Sequence, residues 1–484
     1  MPEDEKQKTL NALDAILDQY NSAMTEDLCR LLRYPTILGE PAPLAPFGKD
    51  IAAGLCYVLE LAASFGFAVQ NEEGYVGLVQ HGQTQQQVGA LCHVDVVPAG
   101  GHWFHAPFGG ELENDIIYGR GAFDDKGPLI AVLYAMRALK EENVPLKNGI
   151  CLIVGTDEES GFRCMDYYKK HHQPPLCSIV PDAEFPLVYA EKGIVHLQLS
   201  LPLGGEGASS GIRLQSLSGG VAANVIPESA EAFLACDQTE QAILEELLHK
   251  YEQRRRIKVT REPGGLRLVA TGRSAHGSLP EEGINAVGIL LGFLRGLPLA
   301  QNAAEAARIF YMLCGEDTDG RGLRIACADE HGALTMAPTQ VQLREGQIDL
   351  VLDIRFPVSK NLAWLKAHIL AVIEPLGLRL TAWNGKEPHF IRPDSPLVQS
   401  LLAVYQAESG DMRPPLAIGG GTYARAIPNA VAFGPVFPGQ PRLEHQAEEC
   451  ISSSQLLRLS KIYAAALYTL ANQDWPANQN TVQE

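Results

Sequence analysis

The chain has 484 residues, of which 46% are hydrophobic and 20% charged, and its formal net charge is −18 at pH 7. This length exceeds what one hydrophobic core fills, so we expect two or three domains, and the acidic surplus disfavours nucleic acid and anionic membranes as partners. The start MPEDEKQKTL lacks a secretory h-region, no apolar run reaches membrane-spanning length, and the ten cysteines form no CxxC. We therefore predict a cytoplasmic protein with free thiols.

The first third of the chain alternates helix-like and strand-like segments. Apolar residues recur at helical spacing over 8–33 and 47–66, and a further helical pattern follows Pro128. Short apolar runs typical of buried strands lie around them: YVGLVQHG (75–82), VGALCH (88–93), GICLIVG (149–155) and LCSIV (176–180). Strands separated by helices favour a mainly parallel sheet with right-handed crossovers.

The pattern changes near residue 194. Apolar and polar residues alternate on both sides of a Gly/Ser-rich stretch within 195–219, which favours a β-hairpin, and a further strand-like run covers 341–355. After about residue 390 the helix–strand–helix alternation returns. We predict an α/β fold: a discontinuous, mixed but mainly parallel sheet flanked by helices, in residues 1–193 and 389–484, interrupted by an α+β lid in residues 194–388.

Possible metal ligands follow the strand-like runs of the α/β domain. They are His93 and Asp95, Asp124 and Asp125, Glu158 and Glu159, Asp182 and Glu184, and His445. Because the carboxyl ends of parallel strands meet at one edge of a sheet, we expect these side chains to converge. Each alone is a weak signal, since His93 and Asp95 also suit a hydrogen-bonded core pair and acidic pairs are commonly solvated caps.

Two histidines and several carboxylates, without a thiolate motif, suit Zn²⁺, Mn²⁺ or Co²⁺. Carboxylates crowded into one cleft raise one another's pKa unless cations neutralise them, and two metal ions bridged by a carboxylate resolve that conflict. In such a site one member of the Glu158–Glu159 pair can ligate a metal while the other acts as a general base.

A series of motifs, in this order along the chain, resembles those of the co-catalytic zinc peptidases that include aminoacylase, carnosinase and succinyl-diaminopimelate desuccinylase. The motifs are HVDVVPAG, YGRGAFDDKG, TDEESG, PDAEFP, SAHG, DIRFPV, GGGTYAR and HQAEE. The sequence most resembles the bacterial dipeptidase V group, from about residue 10 to residue 470. The resemblance implies that the α/β domain is catalytic and that the lid binds substrate.

The resemblance also implies the composition of the metal site, with two Zn²⁺ per chain and Mn²⁺ or Co²⁺ as alternatives. His93, Asp124 and Asp182 would hold one ion, and Asp124, Glu159 and His445 the other. Asp124 would bridge the two, and its peptide bond to Asp125 would be cis. Asp95 would orient His93, and Glu158 would be the general base toward a hydroxide that bridges the metals.

Substrate contacts are implied for the lid and for the GGGTYAR motif. His276 would polarise the scissile carbonyl, and Asn224 and Arg355 would bind substrate. Arg355 would receive the substrate's C-terminal carboxylate together with the amides of Gly420 and Gly421, because a guanidinium grips a carboxylate with two donors and a glycine turn presents N–H groups. Thr422 completes this substrate-binding set.

The implied function is a metallopeptidase that hydrolyses short peptides, above all dipeptides with free amino and carboxyl ends. A deacylase of N-acyl amino acids or a carboxypeptidase of the same superfamily is the alternative. We expect a small peptide as the partner and a monomeric chain, with a homodimer as the other possibility.

Two further classes are weaker hypotheses. Residues 207–211 satisfy the G-x-S-x-G pattern of serine hydrolases, but the strand-like IRLQSL that follows does not provide the helix that a nucleophile elbow needs. A catalytically inactive metal-binding scaffold would have lost a ligand or the base, whereas this chain retains all of them.

Overall fold

The structure, a computed structural model, describes residues 3–82, 84, 86–204 and 211–475. These residues form two units. Unit 1 comprises the chain up to Tyr189, Phe390–Leu416 and the chain from Thr422 onward, and unit 2 comprises Ala190–His389 and Ala417–Gly421. The segment 417–421 thus groups with unit 2, although the sequence placed it within the last part of the α/β domain.

Ten α-helices occur in the described residues. They are α1 (Glu3–Leu32), α2 (Lys49–Ser64), α3 (Lys126–Glu141), α4 (Arg163–His171), α5 (Gln238–Lys250), α6 (Ala286–Leu294), α7 (Ala303–Cys314), α8 (Leu362–Ile373), α9 (Pro396–Ser409) and α10 (Ser453–Ala471). Polar residues cap several of them, as where the Ser452 side chain accepts the N–H of Gln455 at the start of α10.

The strands of the same residues are mostly short. They are β1 (Ala68–Glu72), β2 (Val76–His81), β3 (Gln87–His93), β4 (Glu111–Glu113), β5 (Ile116–Tyr118), β6 (Gly149–Gly155), β7 (Ser178–Val180), β8 (Ala183–Glu184), β9 (Val188–Glu191), β10 (Gly193–Pro202), β11 (Arg213–Gly219), β12 (Ser229–Ala235), β13 (Ile257–Glu262), β14 (Gly265–Thr271), β15 (Ala328–Asp329), β16 (Gly332–Ala333), β17 (Thr335–Arg344), β18 (Gln347–Phe356), β19 (Arg379–Lys386), β20 (His389–Phe390), β21 (Leu416–Ile418), β22 (Ala430–Ala432), β23 (Pro435–Val436) and β24 (Cys450–Ser452).

A nine-stranded sheet runs in the order β1-β2-β6-β3-β7-β22-β9-β20, with β21 beside β9. Strand β3 pairs in parallel with β6 and β7, and β7 pairs in parallel with β22. Strands β1 and β2 pair antiparallel with their neighbours at one side of the sheet. The carboxyl ends of β3, β6 and β7 therefore lie at one edge, where an α/β sheet forms its site.

Helix α3 is joined to the end of β3 by a hydrogen bond. Asp125 is the N-cap residue of α3, but its Oδ2 accepts the N–H of His93 at 3.1 Å instead of capping the helix. The helix is buried from Lys126 to Leu139 apart from one residue and packs against α1 and α10. This packing fixes the start of α3, and with it Asp124, beside the end of β3.

Unit 2 contains an eight-stranded sheet in the order β13-β14-β12-β11-β17-β18-β10-β19. The predicted hairpin within 195–219 is wrong, because β10 pairs with β18 and β19 while β11 pairs with β12 and β17. The alternation of apolar and polar residues shows which face of a strand is buried, but it does not show which other strand pairs with it. The run 341–355 spans two strands, β17 and β18, joined at Glu345 and Gly346, both with positive φ, as a two-residue hairpin turn requires.

Three further sequence-based expectations concern the whole chain. All ten cysteines lie among the described residues and are free thiols, as predicted. In the part of the chain that the structure describes, no helix is both long and apolar enough to cross a membrane. The G-x-S-x-G stretch, apart from its final Gly211, lies outside the described residues.

Candidate active site

The first cluster of predicted ligands forms at the end of β3. His93 Nε2 lies 3.0 Å from Asp124 Oδ1 and 3.9 Å from Asp182 Oδ2. His93 is the last residue of β3, and Asp182 follows β7, the strand parallel to it. The ligand atoms of the three side chains lie within 4.8 Å of one another, a spacing that one metal ion can bridge.

The second cluster shares Asp124 with the first. His445 Nε2 lies 3.3 Å from Asp124 Oδ2 and 3.1 Å from Glu159 Oε1. The two oxygens of Asp124 therefore face different histidines, which is the arrangement of a bridging carboxylate, and the Asp124–Asp125 peptide bond is cis as expected. His445 lies on the loop between β23 and β24 with a φ of 62°, and so does not follow a strand directly as the sequence pattern suggested.

Burial of these carboxylates carries an electrostatic cost. Burial, together with the negative charges of Asp124 and Glu158, raises the pKa of Asp182 well above its usual range. Burial and Asp124 likewise raise the pKa of Glu159. A divalent cation in each cluster would offset this cost. The donor set of imidazole nitrogens and carboxylate oxygens, without sulfur, fits Zn²⁺, Mn²⁺ or Co²⁺.

Asp95 connects the segment of His93 with the segment of Glu158 and Glu159. Its backbone oxygen lies 2.9 Å from His93 Nδ1, whereas its carboxylate lies 3.6 Å from that nitrogen. The carboxylate instead accepts the N–H groups of Glu158 and Glu159, each at 3.1 Å. Asp95 thus positions His93 through its main chain, and through its side chain it holds the turn that carries both glutamates.

Glu449, which sequence reasoning missed, organises the loop that carries Asp124. Its fully buried carboxylate accepts the N–H groups of Gly121, Phe123 and Asp124 at 2.9–3.0 Å and the Arg120 guanidinium at 2.7 Å. It stands four residues after His445, so one short segment supplies a ligand and also fixes the shared carboxylate. The adjacent acidic pair in HQAEE was the available signal.

In unit 2 the segments of His276 and Asn224 lie together. The N–H of Gly277 donates to the backbone carbonyl oxygen of Asn224 at 2.7 Å. His276 Nδ1 lies 2.6 Å from Ser278 Oγ and accepts the N–H of Ser278 at 3.2 Å, an acceptor role that in a neutral imidazole places the proton on Nε2. The His276 ring is exposed.

Arg355 has a different environment from the one expected. Its Nε and Nη2 donate to the two carboxylate oxygens of Asp353 at 2.7 and 2.9 Å, and its Nη1 donates to the Gly419 oxygen at 3.2 Å. Gly420 and Gly421 continue this segment in unit 2. Thr422 belongs to unit 1, where its hydroxyl caps a short helix by accepting the Ala424 N–H at 3.1 Å.

The predicted site residues thus fall into two groups. Unit 1 brings together the five predicted metal ligands and Asp95, with Glu158 beside Glu159, and it also contains Thr422. Unit 2 contains the predicted substrate-binding residues Asn224, His276, Arg355, Gly420 and Gly421.

Comparison with known proteins identifies the family. A family model described as Peptidase family M20/M25/M40 matches residues 90–469. The chain belongs to this peptidase family. The resemblance drawn from its motifs is confirmed, and this M20/M25/M40 chain is a metallopeptidase, a hydrolase that depends on metal.

Curated relatives of this M20/M25/M40 chain match it over nearly its whole length. It is 37% identical to "Putative dipeptidase YtjP" of Bacillus subtilis (strain 168) over 456 residues, which cover 92% of this chain and 97% of the relative. It is 32% identical to "Putative dipeptidase SAB1611c" of Staphylococcus aureus (strain bovine RF122 / ET3-1) over 465 residues, which cover 95% and 99%.

Solved structures confirm the predicted fold class. Human carnosine dipeptidase 1 superimposes with a TM-score of 0.56 at 14% identity, covering 96% of this chain and 99% of that one. The dipeptidase Dug1p from Saccharomyces cerevisiae superimposes with a TM-score of 0.57 at 14% identity, covering 96% and 98%. At such identity the likeness concerns the fold, a mixed α/β catalytic domain with a mainly parallel sheet and a lid.

Proposed function

We propose that the protein is a dipeptidase that hydrolyses dipeptides with free amino and carboxyl ends at a centre of two divalent metal ions, with Zn²⁺ as the first candidate. The observation that carries the proposal is the pair of ligand clusters that share Asp124, one with His93 and the other with His445. The names of the curated relatives support the substrate class.

The side chains present fit such a centre. His93, Asp124 and Asp182 would hold one ion, and Asp124, Glu159 and His445 would hold the other. When bound, a pair of such ions supplies Lewis acidity to a carbonyl oxygen and lowers the pKa of water. His445 is 43% exposed at its side chain whereas His93 is 1% exposed, so the ligand set opens to solvent on the His445 side.

Glu158 is the proposed general base. It neighbours Glu159 in sequence, and the Asp95 carboxylate holds the backbone N–H of both residues. With Glu159 committed to metal, Glu158 can accept the proton of the attacking water and return it to the leaving amine. A positioned acid–base group of this kind contributes about 10²- to 10⁴-fold to the rate.

Two groups of unit 2 complete the proposed chemistry. The Nε2–H of His276 can donate to the oxyanion that forms from the scissile carbonyl, a contact that grows stronger as negative charge develops. The Arg355 guanidinium can bind the C-terminal carboxylate of the substrate. Binding at Arg355 would require a substrate with a free carboxyl end.

A panel of substrates tests the proposal. It contains ordinary dipeptides, β-alanyl-histidine, a tripeptide and N-acetyl amino acids, each assayed after chelation and again after Zn²⁺ or Mn²⁺ is restored. We expect chelation to abolish hydrolysis and restored metal to return it for the free-amine dipeptides. Cleavage of the acetylated substrates instead would assign the protein as a deacylase. Two bound metals without any hydrolysis would contradict both assignments.

A further inference from the structure

Asp353 lies beside two of the predicted substrate-binding segments of unit 2, those of Arg355 and His276. It precedes Arg355 by two positions on β18, so both side chains leave the same face of the strand. Asp353 is fully buried and the Arg355 side chain is 5% exposed. The two groups form a bidentate pair, in which Nε and Nη2 of Arg355 donate to Oδ1 and Oδ2 of Asp353 at 2.7 and 2.9 Å.

Arg355 keeps two N–H groups that neither Asp353 nor Gly419 uses within the described residues. A guanidinium has five N–H groups, one on Nε and two on each Nη. Asp353 takes one from Nε and one from Nη2, and the Gly419 oxygen takes one from Nη1 at 3.2 Å. Within the described residues, one N–H on Nη1 and one on Nη2 therefore remain. Two such donors match the two oxygens of a carboxylate.

The Asp353 carboxylate also lies against the segment of His276. A Cβ atom at Gly277 would lie 2.2 Å from Asp353 Oδ2, so the backbone can approach only because residue 277 is glycine. A Cβ atom at Gly419 would lie 3.1 Å from the Cβ of Ser278, which places the glycine segment beside the same loop. Asp353 thus touches two of the segments expected to contact substrate.

The charges around Asp353 favour its ionised form. The Arg355 guanidinium lies against it, and His196 Nε2 lies 3.6 Å from Oδ2 on the neighbouring strand β10. Although burial opposes ionisation, Arg355 and His196 lower the pKa of Asp353 below its usual value of 3.8. The pair is therefore neutral overall, and Arg355 has no unbalanced charge that would hold anions indiscriminately.

We propose that Asp353 is the positioning residue for substrate selection: it fixes one edge of Arg355, so that the remaining Nη1 and Nη2 donors bind the C-terminal carboxylate of the dipeptide. This inference rests on the proposed dipeptidase function. It explains selectivity by geometry, because two oriented donors in a nearly buried site discriminate against a carboxamide, which cannot accept at both atoms.

The test compares a dipeptide that the wild type hydrolyses with the same dipeptide carrying a C-terminal carboxamide. In Asp353→Asn we expect KM for the free dipeptide to rise about 10- to 100-fold, with kcat far less affected and metal content unchanged. We expect the kcat/KM for the carboxamide to fall far less than that for the free dipeptide. If Asp353 had only a structural role, Asp353→Asn would lower kcat/KM for both substrates by a similar factor.

Asp349→Asn is the matched control. Asp349 lies on the same strand and accepts hydrogen bonds from Ser200 and Gln347, not from Arg355. We expect this variant to keep the wild-type preference for the free carboxylate. If Asp353→Asn keeps that preference as well, the inference is wrong while the dipeptidase function stands. A wild type that hydrolyses no dipeptide would instead refute the proposed function itself.

A second variant gives an answer even if Asp353→Asn fails to fold. Arg355→Lys retains the positive charge, but it has a single nitrogen, which the Asp353 carboxylate would engage. We expect the preference for the free dipeptide over its carboxamide to be lost at unchanged metal content. An Arg355→Lys protein that retains the preference would show that two edges of the guanidinium are not needed, and would overturn the inference.

Discussion

The metal-ligand clusters of unit 1 and the Asp353–Arg355 pair of unit 2 bury charge in opposite ways. In unit 1 the carboxylates outnumber the positive groups, and burial raises the pKa of both Glu159 and Asp182. In the Asp353–Arg355 pair each charge meets an opposite one at hydrogen-bond distance. The excess negative charge of the first arrangement requires added cations for its compensation, whereas in the second the protein's own side chains compensate each other's charge.

This difference separates the two tasks of a peptidase. A buried cluster in which carboxylates outnumber positive groups favours the binding of a cation, because the ion offsets the electrostatic cost of burial. A balanced ion pair instead contributes orientation, since the pair gains little net stability from its burial. We therefore expect changes in unit 1 to affect metal binding or the rate, and changes at the ion pair to affect substrate selection.

The largest expected effect comes from Glu158→Gln. The amide keeps the size of the side chain but cannot accept a proton from water, while the backbone N–H of residue 158 can still donate to Asp95. We expect kcat to fall about 10²- to 10⁴-fold with the metal content unchanged. Metal analysis alongside steady-state kinetics of the purified variant measures both.

Glu159→Gln is the matched control for that variant. It makes the same chemical change one residue away, but it removes a carboxylate that lies 3.1 Å from His445. We expect it to lose metal, and we expect activity to return in part at high metal concentration. Turnover of Glu158→Gln within tenfold of the wild type would refute the assignment of the base and leave the ligand assignment intact.

Glu449→Gln is expected to have the next largest effect, because it disturbs the hydrogen bonds that hold the loop of Asp124. The amide presents N–H donors to a site where three backbone N–H groups and a guanidinium already converge on two acceptor oxygens. We expect metal affinity to fall about 10- to 100-fold, as for other groups that orient metal ligands. Competition with a chelator of known affinity measures the change.

Glu448→Gln provides the comparison for Glu449→Gln. Glu448 is partly exposed and binds His105 and the N–H of Phe104 rather than the Asp124 loop. We expect its metal affinity to stay within about twofold of the wild type, because exposed ion pairs contribute little. Equal losses in the two variants would show that the buried carboxylate has no particular role in holding Asp124.

The sequence predicted the clustering of the candidate ligands better than the groups that support them. His93, the Glu158–Glu159 pair and Asp182 were candidates because parallel strands end at one edge of a sheet, so residues far apart in the chain converge. The resemblance then assigned the individual ligands. His445 was expected at a strand end like the others, but it lies on the loop between β23 and β24, where no periodicity would place it. Apart from the Arg120 guanidinium, the partners of Glu449 are backbone N–H groups, and no side-chain pattern shows which backbone groups a carboxylate will meet.

The same limit applies to unit 2. The strands were found from their alternation, but their order in the sheet was not, and the predicted hairpin of β10 with β11 was wrong. Arg355 was identified from its motif, whereas Asp353 was overlooked two residues earlier. The rule that residues i and i+2 share a face of a strand would have paired them, and it is the signal to use for similar sequences.

The smallest expected effect is a pH dependence, and it tests whether the unit 2 pair is balanced. Arg355 and His196 lower the pKa of Asp353 despite its burial. An acid whose pKa is lowered on folding contributes stability above its unfolded pKa, and that contribution is lost as the pH falls through the folded value, here below 3.8.

Asp353 is thus ionised from pH 8 to pH 5. Over that range we expect the ratio of kcat/KM for a dipeptide to that for its carboxamide to change less than about twofold, since a tenfold change would need about 1.4 kcal/mol. The ratio cancels the titration of the metal site, which both substrates share. A ratio that falls steeply between pH 6 and pH 5 would mean that Asp353 takes up a proton there, and that the pair is not balanced in the way its geometry indicates.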